Sequence, residues 1–366
     1  MMCQSISKTC VISLLLANAT LSYAGGMGEV DSGKRFFFSA APIYGSLSDA
    51  SLDKIVFADT IGAGGAIRGN EANVDSRWGY SLSAGYQFGP ERHHDLVLSY
   101  THLSNRGDNV VTNGNANDIL INRLSQIVRN DEFGFPQVST GGAYLYGPAT
   151  AAMMSHYDYQ TGDLITHRNW QSTFLENVHF SRFYGIKATQ FKKDFFAQYV
   201  GTGRGTGEFF NVITAPVNDE INYEAKYFGI GPRIGMGASW DLNRFISIGG
   251  DVSASILGGS YNSQWSETMV TSMQIQNLPA SGVYTYNQST DTSLWTSLIL
   301  GTNLAVAANF DLHNGSRVGV QGGVSTEQYW TNASADSFDA KNGTNSVGVN
   351  QRFSVQNVFV KFSYLC

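Results

Sequence analysis

Apolar and polar residues alternate strictly over several long segments of the chain. From Arg77 to Phe88, the residues Trp78, Tyr80, Leu82, Ala84, Tyr86 and Phe88 share one face. Arg77, Gly79, Ser81, Ser83, Gly85 and Gln87 share the other. Successive strand residues point to opposite sides, so this spacing predicts a strand with one oily face and one small or polar face. The pattern returns in Phe228–Trp240, where Phe228, Ile230, Pro232, Ile234, Met236, Ala238 and Trp240 oppose Gly229, Gly231, Arg233, Gly235, Gly237 and Ser239. It returns again with Leu298, Leu300, Leu304, Val306, Ala308 and Phe310, and with Val318, Val320 and Val324.

These segments are longer than the usual strand of about 5–6 residues. They match membrane-crossing strands, which need about 9–11 residues at a tilt near 45°. The polar face is crowded with Gly and Ser, as the limited volume inside a narrow barrel requires. Ten candidate strands follow, near 35–46, 76–89, 95–104, 173–188, 194–201, 222–240, 244–260, 293–310, 316–330 and 350–366. Short turns lie at Gly89–Asp95, Asp241–Arg244 and Asp311–Ser316, with a weaker one near Thr189–Asp194. Long connections lie near 47–75, 105–172, 202–221, 261–292 and 331–349. Short turns at one end and long loops at the other mark an outer-membrane barrel. The fold class read here is all-β: a closed antiparallel transmembrane β-barrel of about ten strands, with eight or twelve also compatible. One residue resists the pattern. Arg182 falls on the face of Val178, Phe180, Tyr184 and Ile186, where a charge at mid-depth costs about 2–4 kcal/mol. Either a bulge lies there or the register differs.

Composition narrows the class. Aromatics are 13% of the 366 residues and charged residues 14%, with mean hydropathy −0.14. Soluble domains carry about 25% charged residues, and no apolar run reaches the roughly 20 residues of a membrane helix. The N-terminus reads as an export signal: Lys8, the apolar run Val11–Ala17, then Ser22-Tyr23-Ala24 before a cleavage point after Ala24. This divides the chain into a signal peptide, 1–24, and one barrel domain, 25–366. Cys3 and Cys10 leave with the signal, so Cys366 has no intramolecular partner. The remaining charge is acidic and argues against nucleic acid. Trp78, Tyr80, Tyr86, Phe88, Trp240, Phe245, Trp295, Phe310 and Trp330 stand near strand ends, where aromatic girdles meet the two membrane interfaces.

Three segments carry a resemblance: Tyr227-Phe-Gly-Ile-Gly-Pro-Arg-Ile-Gly-Met236, the turn Trp240-Asp-Leu-Asn243, and the end Val358-Phe-Val-Lys-Phe-Ser-Tyr364. With Gly26-Met27-Gly28 and the Gly-rich second half, the chain resembles the Legionella major outer membrane protein family. The resemblance implies an outer-membrane barrel, porin-like, and a surface antigen that aids attachment to host cells. Family members often carry mature cysteines, of which only Cys366 remains here. Phe362 and Tyr364 in the final strand resemble the signal read by the barrel assembly machinery.

Little in the chain points to a chemical step. Gly28-Glu-Val-Asp-Ser-Gly33-Lys34-Arg35 nearly spells a phosphate loop, but Arg35 replaces the Ser or Thr that holds magnesium, and Phe36-Phe37-Phe38 follows as a strand. Gly201–Gly207 is Gly-rich without dinucleotide spacing. The seven His are scattered, and neither His102 nor His179 has a marked nucleophile beside it. No enzyme, cofactor or metal is therefore expected. The polar faces place Arg77, Gln87, Arg233, Asp251, Asn303, Arg317, Gln321, Glu327 and Lys361 in the lumen. Charges there either set ion preference in a pore or pair across the lumen and plug it. Asp118–Asn130 carries Ile119, Leu120, Leu124, Ile127 and Val128 at helical spacing, with Asp118 as its N-cap. Such a helix could constrict the mouth, present a ligand surface or cover the barrel top. The function expected is passive diffusion of ions and small polar solutes; the alternative is an adhesin or antigen binding a host-cell or complement ligand through its loops. Outer-membrane lipid and lipopolysaccharide are the expected surroundings, and a homo-oligomer stays open.

Overall fold

In the computed structural model the described residues are 35–49, 56–62, 65, 67–71, 74–88, 94–113, 118–122, 124–125, 144–171, 177–206, 212–271, 282–312, 316–331 and 352–366. They form thirteen strands: β1 (Arg35–Asp49), β2 (Val56–Ile61), β3 (Ile67–Glu71), β4 (Arg77–Phe88), β5 (His94–Asn113), β6 (Ile119–Asn122), β7 (Tyr144–Gln171), β8 (Val178–Thr206), β9 (Val212–Asp241), β10 (Ile246–Thr271), β11 (Gly282–Asp311), β12 (Arg317–Thr331) and β13 (Arg352–Leu365). Ten of them close an antiparallel ring in the order β1, β4, β5, β7, β8, β9, β10, β11, β12, β13. The seam pairs the first strand with the last, Phe38 opposite Tyr364 and Ala40 opposite Phe362. Closure leaves no unpaired edge, the condition for strands to cross a hydrocarbon layer.

The remaining strands, β2, β3 and β6, sit at the end of the long connections. Strand β6 joins the ring by pairing Ile119 with Tyr146 and Ile121 with Tyr144 of β7. It takes over where β5 stops, at Asn113 opposite Ala149. The handover coincides with a register shift between Tyr146 and Thr150, where Gly147 has φ of +76°. That left-handed backbone is readily adopted by glycine, and the bulge re-aims the strand.

The chemistry of the two barrel faces inverts along the strands. On the lower part of β9, outward Phe228, Ile230, Ile234, Met236 and Trp240 oppose Gly229, Gly231, Gly235 and Ser239. Higher up, the inward residues are Tyr227, Tyr223, Ile221 and Val217, all buried, while Lys226, Glu224, Asn222, Glu220 and Asn218 face out. Strand β10 does the same, with buried Leu257, Tyr261, Trp265 and Met269 above an oily exterior of Ile248, Val252 and Ile256. An apolar exterior needs lipid and a polar one needs water. The barrel therefore spans the membrane with its lower part and stands above it with an aromatic-filled upper part.

Several expectations are corrected. The segments 173–188 and 194–201 are one strand, β8, and the turn near Thr189–Asp194 does not exist. Lys192-Lys193-Asp194 reads as a turn, but its charges are used by the strand: Lys192 faces out to Asp194 and Glu224, at 2.9 and 3.2 Å. Lys193 is buried, 5.9 Å from the ring centres of both Tyr157 and Tyr223. The connection 105–172 contains the upper half of β5, all of β6 and the whole barrel strand β7. One strand too many and one too few cancel, which preserves the count. The expected loops 202–221 and 261–292 are strand up to Thr206 and from Val212, and up to Thr271 and from Gly282, and 47–75 contains β2 and β3. The helix at 118–130 is replaced at Ile119–Asn122 by β6, which finds hydrogen-bonding partners on both sides, β7 and β2, so Asp118 caps no helix there. No bulge rescues Arg182: the β8–β9 register runs unbroken through it, and its side chain faces outward and is exposed. The expected signal peptide, the phosphate-loop-like segment before Arg35, residues 126–130 and the loop 332–351 lie outside the described residues.

Candidate functional site in the barrel lumen

The inner faces of the strands carry side chains that meet across the barrel. Asp163 on β7 and Lys187 on β8 are direct cross-strand partners. Arg233 comes from β9 and Glu327 from β12, on the far side of the ring. Arg233 Nη1 lies 2.9 Å from Asp163 Oδ1, and Lys187 Nζ donates to Glu327 Oε1 at 2.8 Å. The other two combinations, Lys187 with Asp163 and Arg233 with Glu327, stand at 3.8 Å each. Two cations and two anions thus form a closed quartet in which each cation faces both anions. Tyr159 from β7 and Tyr329 from β12 both donate to Glu327 Oε2, at 2.8 and 3.0 Å. Buried charges persist only when they are compensated. Lys187 and Glu327 are paired and hydrogen-bonded. Asp163 is held by ion pairs to Arg233 and Lys187, and Arg233 Nη2 donates to Ser253 Oγ at 3.0 Å.

The space above and below is filled. Toward the periplasmic end, Arg233 lies over the Phe183 ring at 5.8 Å. His167 pairs with Asp95 at 2.7 Å, both buried, and Phe37, Val97 and Leu365 pack together. Glycines make this filling possible: a Cβ on Gly85 would stand 2.1 Å from Phe37 Cζ. Above the quartet, Tyr159, Tyr329, Phe353 and Phe191 form a ring cluster with centroids 4.2–6.2 Å apart. Phe195, Tyr223 and Trp265 continue it, and Tyr261 stacks on Trp295 at 4.4 Å. At the top, β2 and β6 reach over the mouth. Asn122 donates to Asp219 at 2.7 Å, Ser125 Oγ donates to Glu267, and Tyr199 donates to the Phe57 carbonyl at 2.7 Å. Burial, and next the charge of Glu267, raise the Asp219 carboxyl from its ordinary range to about 8. Between quartet and wall remains a cavity of about 100 Å³, lined by Arg233, Asp251, Asn303, Glu327, Lys361 and Tyr159.

The structure places seven of the nine expected lumen residues inside: Gln87, Arg233, Asp251, Asn303, Gln321, Glu327 and Lys361. Asn303 donates to Asp251 at 3.1 Å. Arg77 is exposed at the upper end of β4, and Arg317 pairs with Asp311 at the β11–β12 turn, 2.6 Å away, so neither joins the central group. Sequence reasoning missed Asp163, Lys187, Tyr159 and Tyr329. Asp163 and Tyr159 sat in a presumed loop, although the alternation of Ser155, Tyr157, Tyr159, Thr161, Asp163, Ile165 and His167 was there to be found. Trp78, Tyr80, Tyr86, Phe88, Trp240, Phe245, Phe310 and Trp330 take the outward positions expected of girdle residues, Trp78 at 70% exposure. Trp295 is a correction: at 3% exposure it points inward, because its odd position opposes outward Leu298. Phe362 and Tyr364 face outward on the seam. His102 pairs with Asp158 at 3.2 Å midway along β5, and His179 with Asp241 at 3.0 Å at the periplasmic end. No set of three or more metal-ligating side chains converges among the described residues.

A family model described as Legionella pneumophila major outer membrane protein precursor matches residues 43–366. The chain belongs to this family. It is therefore a protein of the bacterial outer membrane, made as a precursor. Among solved structures, it is similar to the outer membrane protease OmpT of Escherichia coli (10% identity, TM-score 0.38, 94% of this chain and 99% of that one). It is also similar to the toluene transporter TodX of Pseudomonas putida (8%, 0.23, 92% and 90%). A third is the outer membrane protein OprG of Pseudomonas aeruginosa (10%, 0.25, 90% and 96%). No curated protein sequence matches the chain.

Proposed function

We propose that this outer-membrane barrel is closed to solutes at rest and serves as a cell-surface interaction protein. The observation that carries the reading is the crossing of the lumen by Lys187–Glu327 and Tyr159–Glu327, which join β8 and β7 to the opposite wall. Aromatic layers above and the Phe37–Val97–Leu365 group below support a filled barrel, not a standing pore. The wall above the membrane offers an ordered polar face instead. There Gln198, Asn218 and Glu220 hydrogen-bond to one another, and Lys192, Asp194, Glu224 and Lys226 form a chain of ion pairs over β8 and β9. The partner proposed is an extracellular protein or host-surface ligand. Single-channel recording of the refolded mature chain in a planar bilayer tests the reading, after a heat-dependent gel shift confirms folding. A silent folded barrel supports it; discrete reproducible steps return the weight to passive diffusion.

One observation favours a second reading. A polar cavity of about 100 Å³, lined by Asp251, Asn303 and Lys361, lies beside the quartet and would widen if the cross-lumen bonds broke. Steps that change ion preference when Arg233 or Asp251 is replaced would support a gated ion channel.

A further inference from the structure

Arg182 is the residue that the sequence pattern left unexplained, and the structure gives it a neighbour. Arg168 of β7 lies directly opposite it, and both guanidinium groups are on the outer face and exposed. His94 of β5 is the next residue in the same row, opposite Arg168, and stacks on Phe88 with centroids 5.8 Å apart. No acidic side chain pairs with either arginine among the described residues. Like charges directly opposite each other on adjacent strands repel, and a lipid-facing position sharpens the repulsion by lowering the dielectric. The two like charges side by side call for a counter-charge from outside the chain.

The level of the row says what can supply it. Arg182 is four residues from the start of β8, where Val178 stands opposite Trp240. At the usual rise and tilt this puts the row about 10 Å into the barrel wall from its periplasmic end. The stacked Trp170 and Phe180, at 5.9 Å, lie one outward step toward the periplasm. Exposed Leu164, Tyr184 and Ile186 lie on the side toward the membrane centre. Aromatic rings of this kind mark the interface, and arginine side chains extend along apolar surface to place their heads there. The periplasmic end is the end of the short turns and of both described chain termini. We propose that Arg168 and Arg182 form a binding site for the phosphate of an anionic phospholipid in the periplasmic-facing leaflet. The rings of Trp170 and Phe180, on the periplasmic side of the pair, would flank its headgroup. Two planar guanidinium forks match the oxygens of one phosphate bidentately, which a lysine ammonium does not.

Native mass spectrometry of the folded barrel, released from nanodiscs of mixed phosphatidylglycerol and phosphatidylcholine, tests this site. The folded chain should retain phosphatidylglycerol in preference to phosphatidylcholine. R168Q/R182Q should lower the retained fraction by about tenfold, and R168K/R182K should keep part of it. Inorganic phosphate added before release should leave retention unchanged, which separates a lipid from a free anion. Should the double glutamine variant fail the gel-shift test for folding, R182Q alone is read in the same way. Equal retention by wild type and glutamine variant, equal retention of both lipids, or displacement by inorganic phosphate would each overturn the proposal.

Discussion

Lys187 and Glu327 meet at 2.8 Å although four steps around the ring separate their strands, β8 and β12. The bond is a strut across the lumen, and its energetics are those of a buried ion pair. Removing one partner strands the other charge, at a cost of about 3–5 kcal/mol. Glu327→Ala should lower stability by about that amount, read from denaturant unfolding in lipid vesicles by tryptophan fluorescence. Lys187→Met combined with Glu327→Leu should cost less than Glu327→Ala alone, because it leaves no orphaned charge. Equal losses would mean that the strut carries no electrostatic load.

The covering of the mouth should weaken as pH rises. Asp219 is buried in the extracellular wall, faces Glu267 and accepts from Asn122, and its pKa is raised to about 8. In the unfolded chain an aspartate titrates near 3.9. The folded form thus binds the proton more tightly, and the stabilisation is complete below about pH 4 and lost as pH climbs through about 8. Hydrogen exchange at Leu124 and Ser125, corrected for intrinsic rates, should show falling protection over that window, since both amides donate to Asn122 Oδ1. Asp219→Asn should flatten the dependence.

Two tryptophans chosen by the same sequence argument should behave differently. Trp295 is buried against Tyr261, so Trp295→Ala should cost about 3–5 kcal/mol in the same unfolding assay. Trp240 is 55% exposed on the outer face, and Trp240→Ala should change stability by less. Its emission should respond to brominated lipid, whereas that of Trp295 should not.

Gly85 predicts a steric limit. Its missing Cβ is where the Phe37 ring sits. Gly85→Val should displace that ring and cost about 1–3 kcal/mol through overpacking. Gly322 has open space at its Cβ position, so Gly322→Ala should stay close to wild type. The comparison is made by the heat-dependent gel shift and denaturant midpoint.

The sequence by itself determined the barrel, its antiparallel order, its even number of strands and seven of its lumen residues. Inside the membrane a strand has lipid on one side and lumen on the other, so the two environments are written as strict alternation. Arg233, Asp251, Asn303 and Gln321 were legible for that reason. Above the membrane the environments exchange, water outside and aromatic packing inside. An oily exterior therefore marks neither the upper part of β7 nor the stretch of β8 at Lys192-Lys193-Asp194. The tertiary structure alone decided which residues face each other across the lumen. Tyr159 and Tyr329 are 170 positions apart, and their hydroxyls stand 2.8 Å from one another. Such meetings depend on ring closure and stagger, which sum the register of every strand pair, and no local pattern contains that sum.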